Sequence, residues 1–121
     1  MGKVLLHYTN TETIPFIVTA LEDEGYQVAQ VLEEEDILQQ TISFCPQVIL
    51  LDFSLPSAVR LCSELKELHP DVAIIALCHN HLIANEFSLC GFNGYVIQPF
   101  HVNSLCAVIE LFAHSHIAHA S

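Results

Sequence analysis

The chain has 121 residues, and 14 Asp and Glu against 3 Lys and Arg give it a formal net charge of −11. Lys3, Arg60 and Lys66 cannot neutralise a run of phosphates, so nucleic acid is excluded as a partner, and an anionic membrane surface with it. Hydrophobic residues make up 52%, which excludes a disordered chain, and the length suits one domain with one core.

Reading in chain order, Lys3–His7 is β-like and Ile14, Ile17, Val18 and Leu21 share one face of a helix. Pro15 is tolerated only in a first turn, so this helix starts near Thr13, and Gly25 takes the position just past its end. Tyr26–Val31 reads as a second strand, and Glu33–Phe44 as a second helix with Ile37, Leu38 and Ile42 inward. Gln47–Asp52 and Val72–Leu77 are continuous apolar runs, the pattern of strands covered on both faces. A helix over Ser57–Leu68 lies between them and stops before Pro70. A fourth helix over His81–Cys90, closed by Gly91, leads to a short strand Gly94–Ile97. The last helix starts near Asn103, with Leu105, Val108, Ile109 and Phe112 on its core stripe. Cys106, Ala107 and Leu111 are expected to turn away from the sheet.

The whole of 1–121 reads as a single domain, its core over about 3–112, with 113–121 as the end of the last helix and a tail. The longest apolar runs fall far short of the roughly 18 residues of a membrane span. The apolar stretch at the N-terminus is too short for a signal peptide, so the cytoplasm is the expected location. Five cysteines with no CxxC spacing resemble neither a disulfide framework nor a zinc site and are read mostly as small core hydrophobes. Glu33–Asp36 complements the dipole at the start of helix 2, whereas Glu22–Glu24 opposes it at the end of helix 1, which leaves those charges to attract or reject partners.

Five strands alternating with five helices imply a doubly wound parallel sheet, and the flavodoxin-like order 2-1-3-4-5 is the common five-stranded solution. A ligand site in such a sheet lies at the carboxyl ends of the strands, here His7–Asn10, Asp52–Pro56, Cys78–Asn80 and Gln98–Phe100. The segments Val48-Ile49-Leu50-Leu51-Asp52-Phe53-Ser54-Leu55-Pro56 and Gly91-Phe92-Asn93-Gly94-Tyr95-Val96-Ile97-Gln98-Pro99-Phe100 occur in register on this pattern. Together they resemble the response-regulator receiver domain, the phosphoacceptor module of two-component signalling. The resemblance makes Asp52 the phosphoacceptor position and Tyr95 the switch aromatic, and it implies a cis peptide before Pro99.

The rest of the phosphorylation machinery departs from the family. Counting back from Gly25 places Tyr8 and Thr9 where the family has its acidic pair. Cys78 stands for its Ser or Thr, Gln98 for its Lys, and the loop after Asp52 is short and lacks Asp-Gly. One carboxylate in place of three suits Mg²⁺ poorly, and Gln98 brings no positive charge to an acyl phosphate, so Mg²⁺ binding is expected to be weak or absent. The expectation is a degenerate receiver, not an enzyme and with no cofactor, acting by protein–protein interaction. Its partner would be a histidine kinase, another regulator or an output protein. The face of helix 4, strand 5 and helix 5, with Tyr95, Ala107 and Leu111, is the candidate interface and a candidate homodimer surface. Two alternatives stay open. One is a working receiver phosphorylated on Asp52 with altered metal dependence. The other is a small Cys/His metal protein or enzyme using Asp52, Cys78, His7 and His79.

Overall fold

A computed structural model of the chain describes residues 2–78, 91–98 and 100–120, with side chains of the last helix as far as residue 112. The strands are β1 (Lys3–His7), β2 (Gln27–Gln30), β3 (Val48–Asp52), β4 (Ala73–Cys78) and β5 (Gly94–Ile97). The α-helices among the described residues are α1 (Ile14–Asp23), α2 (Ile37–Phe44), α3 (Ala58–Leu68) and α4 (Val102–Ala120). All strand pairs are parallel, in the order β2-β1-β3-β4-β5. This is the expected doubly wound, flavodoxin-like sheet. The predicted helix over His81–Cys90 lies outside the described residues, as do His79 and Pro99.

The sheet is covered on both faces because its central strands β3 and β4 are apolar at every position except the strand-ending Asp52. β3 and β4 are buried throughout, so alternate residues feed two separate cores. Val4, Leu6, Leu50, Ile75 and Leu77 pack under α1 and α4 with Ile17, Leu21, Leu105 and Ile109. Leu5, Ile49, Leu51 and Ile74 pack under α2 and α3 with Ile37, Leu61 and Leu65. A parallel sheet buried this way presents its loops only at its two ends, and that places the site.

Helix ends follow local chemistry. Pro15 sits in the first turn of α1, where its missing N–H is one that a helix leaves unbonded. At the other end Gly25 adopts φ +96°. The Gly25 N–H bonds the Glu22 carbonyl and the Tyr26 N–H the Leu21 carbonyl, the paired bonds of a Schellman ending.

Three expectations need correction. Glu33 is extended and Glu34–Asp36 forms a 3-10 turn, so α2 begins only at Ile37. Ile42 is 61% exposed, because at about 100° per residue it falls roughly 140° around the helix from Ile37. Thr41 takes the buried place, its hydroxyl donating to the Ile37 carbonyl at 2.8 Å. Cys106 does not face away from the sheet. It is buried with Leu105 and Ile109, because its side of α4 is closed by α1. Ala107 and Leu111 are exposed as expected. Among the cysteines, Cys62, Cys78 and Cys106 are buried, whereas Cys45 is exposed in a left-handed conformation at φ 54°.

Candidate functional site

The carboxyl ends of β1, β3, β4 and β5 meet at Asp52. The side chain is 0% exposed, and a buried carboxylate is costly unless hydrogen bonds hold its charge. Thr9 and Ser54 supply four such bonds. Thr9 donates its backbone N–H (3.1 Å) and hydroxyl (2.5 Å) to Oδ2. Ser54 donates its backbone N–H (2.9 Å) and hydroxyl (2.6 Å) to Oδ1. Burial pushes the Asp52 pKa up, but the bonds from Ser54 and Thr9 outweigh it and hold the carboxyl below its ordinary value. The result is an ionised carboxylate with both oxygens clamped between two loops.

Tyr8 occupies the other side of the site. It follows β1, is 4% exposed, and its ring lies 5.7 Å from that of Phe100 in a tilted pair. Its hydroxyl donates to Gln98 Oε1 at 3.4 Å, and the Gln98 N–H donates to the Cys78 carbonyl at 2.8 Å. Burial, and secondarily the Asp52 charge, raise the Tyr8 pKa. The same two causes push the Cys78 thiol up to about 11. Cys78 is buried at the end of β4 with its Sγ toward the Ala76 carbonyl at 3.9 Å. It is therefore a packed thiol and a poor source of thiolate.

Of the four positions that depart from the family, Thr9 bonds Asp52, Tyr8 bonds Gln98, and the Cys78 carbonyl accepts the Gln98 N–H. Ser54 was not singled out from sequence, although its spacing carried a signal. A Ser two residues after a strand-ending Asp can bond back to that carboxylate as in an Asx-type turn. Glu12 is exposed. His7 is buried on β1, its Nδ1–H donating to the Val31 carbonyl at 2.8 Å. Among the described residues no three His, Cys, Asp or Glu side chains are grouped to hold a metal ion. Tyr95, Ala107 and Leu111 lie away from this cluster and are exposed. None of the chain's Lys or Arg serves the site. Lys3 donates to the Phe44 carbonyl, Arg60 pairs with Glu34 and Glu64, and Lys66 donates to the Val72 carbonyl. No helix among the described residues is long and apolar enough to cross a membrane.

Comparison with known proteins agrees with this architecture. Residues 9–110 match the model of the response regulator receiver domain. No curated protein registers as a sequence match. Among solved structures, NtrX from Brucella abortus in complex with ADP superimposes with a TM-score of 0.89 at 19% identity. That match covers 98% of this chain but only 28% of NtrX. The signal receiver domain of a putative Luxo repressor protein from Vibrio parahaemolyticus gives 0.86 at 20% identity, covering 98% and 95% of the two chains. Vibrio cholerae chemotaxis protein CheY4 gives 0.83 at 19% identity, covering 93% and 98%. The sheet order, the strand-ending Asp52 and the match over residues 9–110 lead to one conclusion: this chain belongs to the response regulator receiver domain family of two-component signalling.

Proposed function

We propose that this receiver domain is a degenerate one, a protein-interaction module whose working state does not depend on phosphorylation and which is not an enzyme. The observation that carries this reading is the clamp on Asp52, in which Thr9 places two hydrogen bonds on one carboxylate oxygen and Ser54 two on the other. A phosphoacceptor needs one of those oxygens to attack and needs cationic charge beside it as phosphate arrives. Here attack would break short charge-assisted bonds, and the three Lys and Arg are engaged elsewhere.

Mg²⁺ does not fit the donor set. It takes hard oxygen ligands around carboxylates, whereas the acidic-pair positions hold the buried Tyr8 ring and a Thr9 that donates to Asp52. The clamp and the Tyr8–Gln98 bond tie the loops after β1, β3 and β5 together without a metal. That favours one fixed arrangement of the loops. The partner surface on this reading is the exposed side of β5 and α4, with Tyr95, Ala107 and Leu111, facing a kinase, another regulator or an output protein.

Backbone amide NMR during a Mg²⁺ titration tests the site. The Thr9 and Ser54 amides should stay unmoved by millimolar Mg²⁺. A saturable shift of both, abolished by Asp52→Asn, would overturn the reading. Leu111→Glu tests the surface and should weaken partner binding while leaving the fold intact.

A further inference from the structure

The end of the sheet opposite Asp52 carries a pocket formed by the α2–β3 and α3–β4 loops. Its volume is about 370 Å³, within the range of pockets that hold small ligands. The length of β3 separates it from Asp52, about 13 Å for four steps of 3.3 Å. Pro46, Leu68 and Pro70 give it apolar walls, and Leu68 is 58% exposed.

Its polar groups point to one chemistry. Among the described residues three buried side-chain polar atoms have no hydrogen-bond partner. Two of them, Gln47 Oε1 and His69 Nε2, belong to residues lining this pocket. Such atoms weaken a fold unless something bonds them, so two at one pocket mark the place of a ligand. The Gln47 oxygen only accepts, and the His69 nitrogen accepts in the neutral tautomer that keeps its proton on Nδ1. Gly2 flanks the Gln47 oxygen, and a larger residue there would collide with it. Asp71 adds an exposed carboxylate to the lining, in no salt bridge among the described residues. Lys66, the cation that feels its charge, donates instead to the Val72 carbonyl at 2.7 Å. Three acceptors, one of them charged, call for a positive head with several N–H donors and would repel an anionic one.

We infer that this pocket binds a small primary amine, an ammonium head on a compact apolar body. The head donates to Gln47 Oε1, His69 Nε2 and the Asp71 carboxylate, and the body lies against Pro46, Leu68 and Pro70. The turn that carries His69 is fixed on both sides. Its N–H donates to the Leu65 carbonyl at 2.7 Å, and its carbonyl accepts the Val72 N–H at 3.1 Å. Cys45, on the same lining, holds a left-handed φ of 54°, and backbone strain of this kind gathers at ligand sites. Asp52 takes no part, so this site stands or falls separately from the degenerate reading.

The probe is 2-phenylethylamine, titrated at pH 8 into the isotopically labelled full chain and followed by amide NMR. Saturable shifts centred on the Gln47, His69, Asp71 and Val72 amides are expected, with a Kd of about 1 mM. Asp71→Asn and His69→Phe, each shown by circular dichroism to be folded, should weaken binding about tenfold. Saturating amine should also slow alkylation of exposed Cys45 several-fold. Glu12→Gln removes an equal charge elsewhere, Asp52→Asn alters the other end of the sheet, and both should bind like the wild type. A loss in Glu12→Gln equal to that in Asp71→Asn would mean attraction to net charge alone and would overturn the proposal. So would equal binding of 3-phenylpropionate or 2-phenylethanol, indifference to both pocket variants, or undiminished Cys45 alkylation at saturation. Loss of binding in Asp52→Asn would tie the amine to the other end of the sheet and would equally refute it.

Discussion

Thr9→Val removes one arm of the Asp52 clamp and leaves the shape of the side chain nearly unchanged. The Thr9 hydroxyl lies 2.5 Å from Oδ2, and its loss leaves Thr9 with just its backbone N–H, at 3.1 Å, on that oxygen. Hydrogen bonds to charged groups contribute about 1.5–3 kcal/mol each, and with Asp52 0% exposed water cannot readily replace the missing donor. The expected loss is about 2 kcal/mol, which lowers Tm by roughly 6–10 °C in a domain of this size. Ser54→Ala removes the matching arm on Oδ1 (2.6 Å) and should cost a similar amount. The double variant should lose about 3 kcal/mol, short of strict additivity because both arms hold one carboxylate. Urea denaturation measures this as a shift in midpoint at constant slope. The pH dependence has a definite sign. The Asp52 carboxyl is depressed in the folded state, so its contribution is present above the unfolded pKa and is lost as pH falls through the folded one. The gap between wild type and variants should therefore shrink in acid. Variants within about 0.5 kcal/mol of wild type at neutral pH, or a gap that widens in acid, would refute the clamp.

Two further outcomes follow from packing. An added Cβ at Gly94 would lie 3.0 Å from Phe112 Cε2, so Gly94→Ala should push α4 off β5 and cost about 1–3 kcal/mol in urea denaturation. The cost should fall in a Phe112→Leu background, where the obstructing ring is absent. Alkylation of the folded protein, followed by peptide mass mapping, should label exposed Cys45 well before buried Cys62 and Cys106 and leave Cys78 unreacted. The Cys78 thiol is buried and pushed up to about 11, so labelling it as fast as Cys45 would contradict the packing of the site.

What the sequence made legible was whatever depends on local chemistry or on unbroken apolar runs. Lys3–His7 and Gly94–Ile97 have the bounds the pattern implies, β3 falls within its predicted run, and β4 lies one residue later than its run, at Ala73–Cys78. Gly25 ends α1 because only a residue free to take positive φ completes those two bonds. Ile42 was misplaced because eight residues of α2 make too few turns for periodicity to fix the phase of the buried face. Cys106 was misplaced because α1, a tertiary neighbour, covers that side of α4. At the site, Tyr8 and Thr9 were legible as departures from the family's acidic pair, but what they touch was not. Thr9 is a donor that holds Asp52, and its partner Ser54 was visible only as an Asp-x-Ser spacing. Hydrogen bonds between loops distant in sequence are set by the fold, and periodicity does not report them.

The central claim is that Asp52 is held as a structural carboxylate and does not accept phosphate. Its most direct test is intact-mass measurement after incubation with a small-molecule phosphodonor and Mg²⁺, with Asp52→Asn as the control. The account predicts no mass increment that depends on Asp52. A stable gain of one phosphoryl group in the wild type, absent from Asp52→Asn, would contradict it and identify a working receiver.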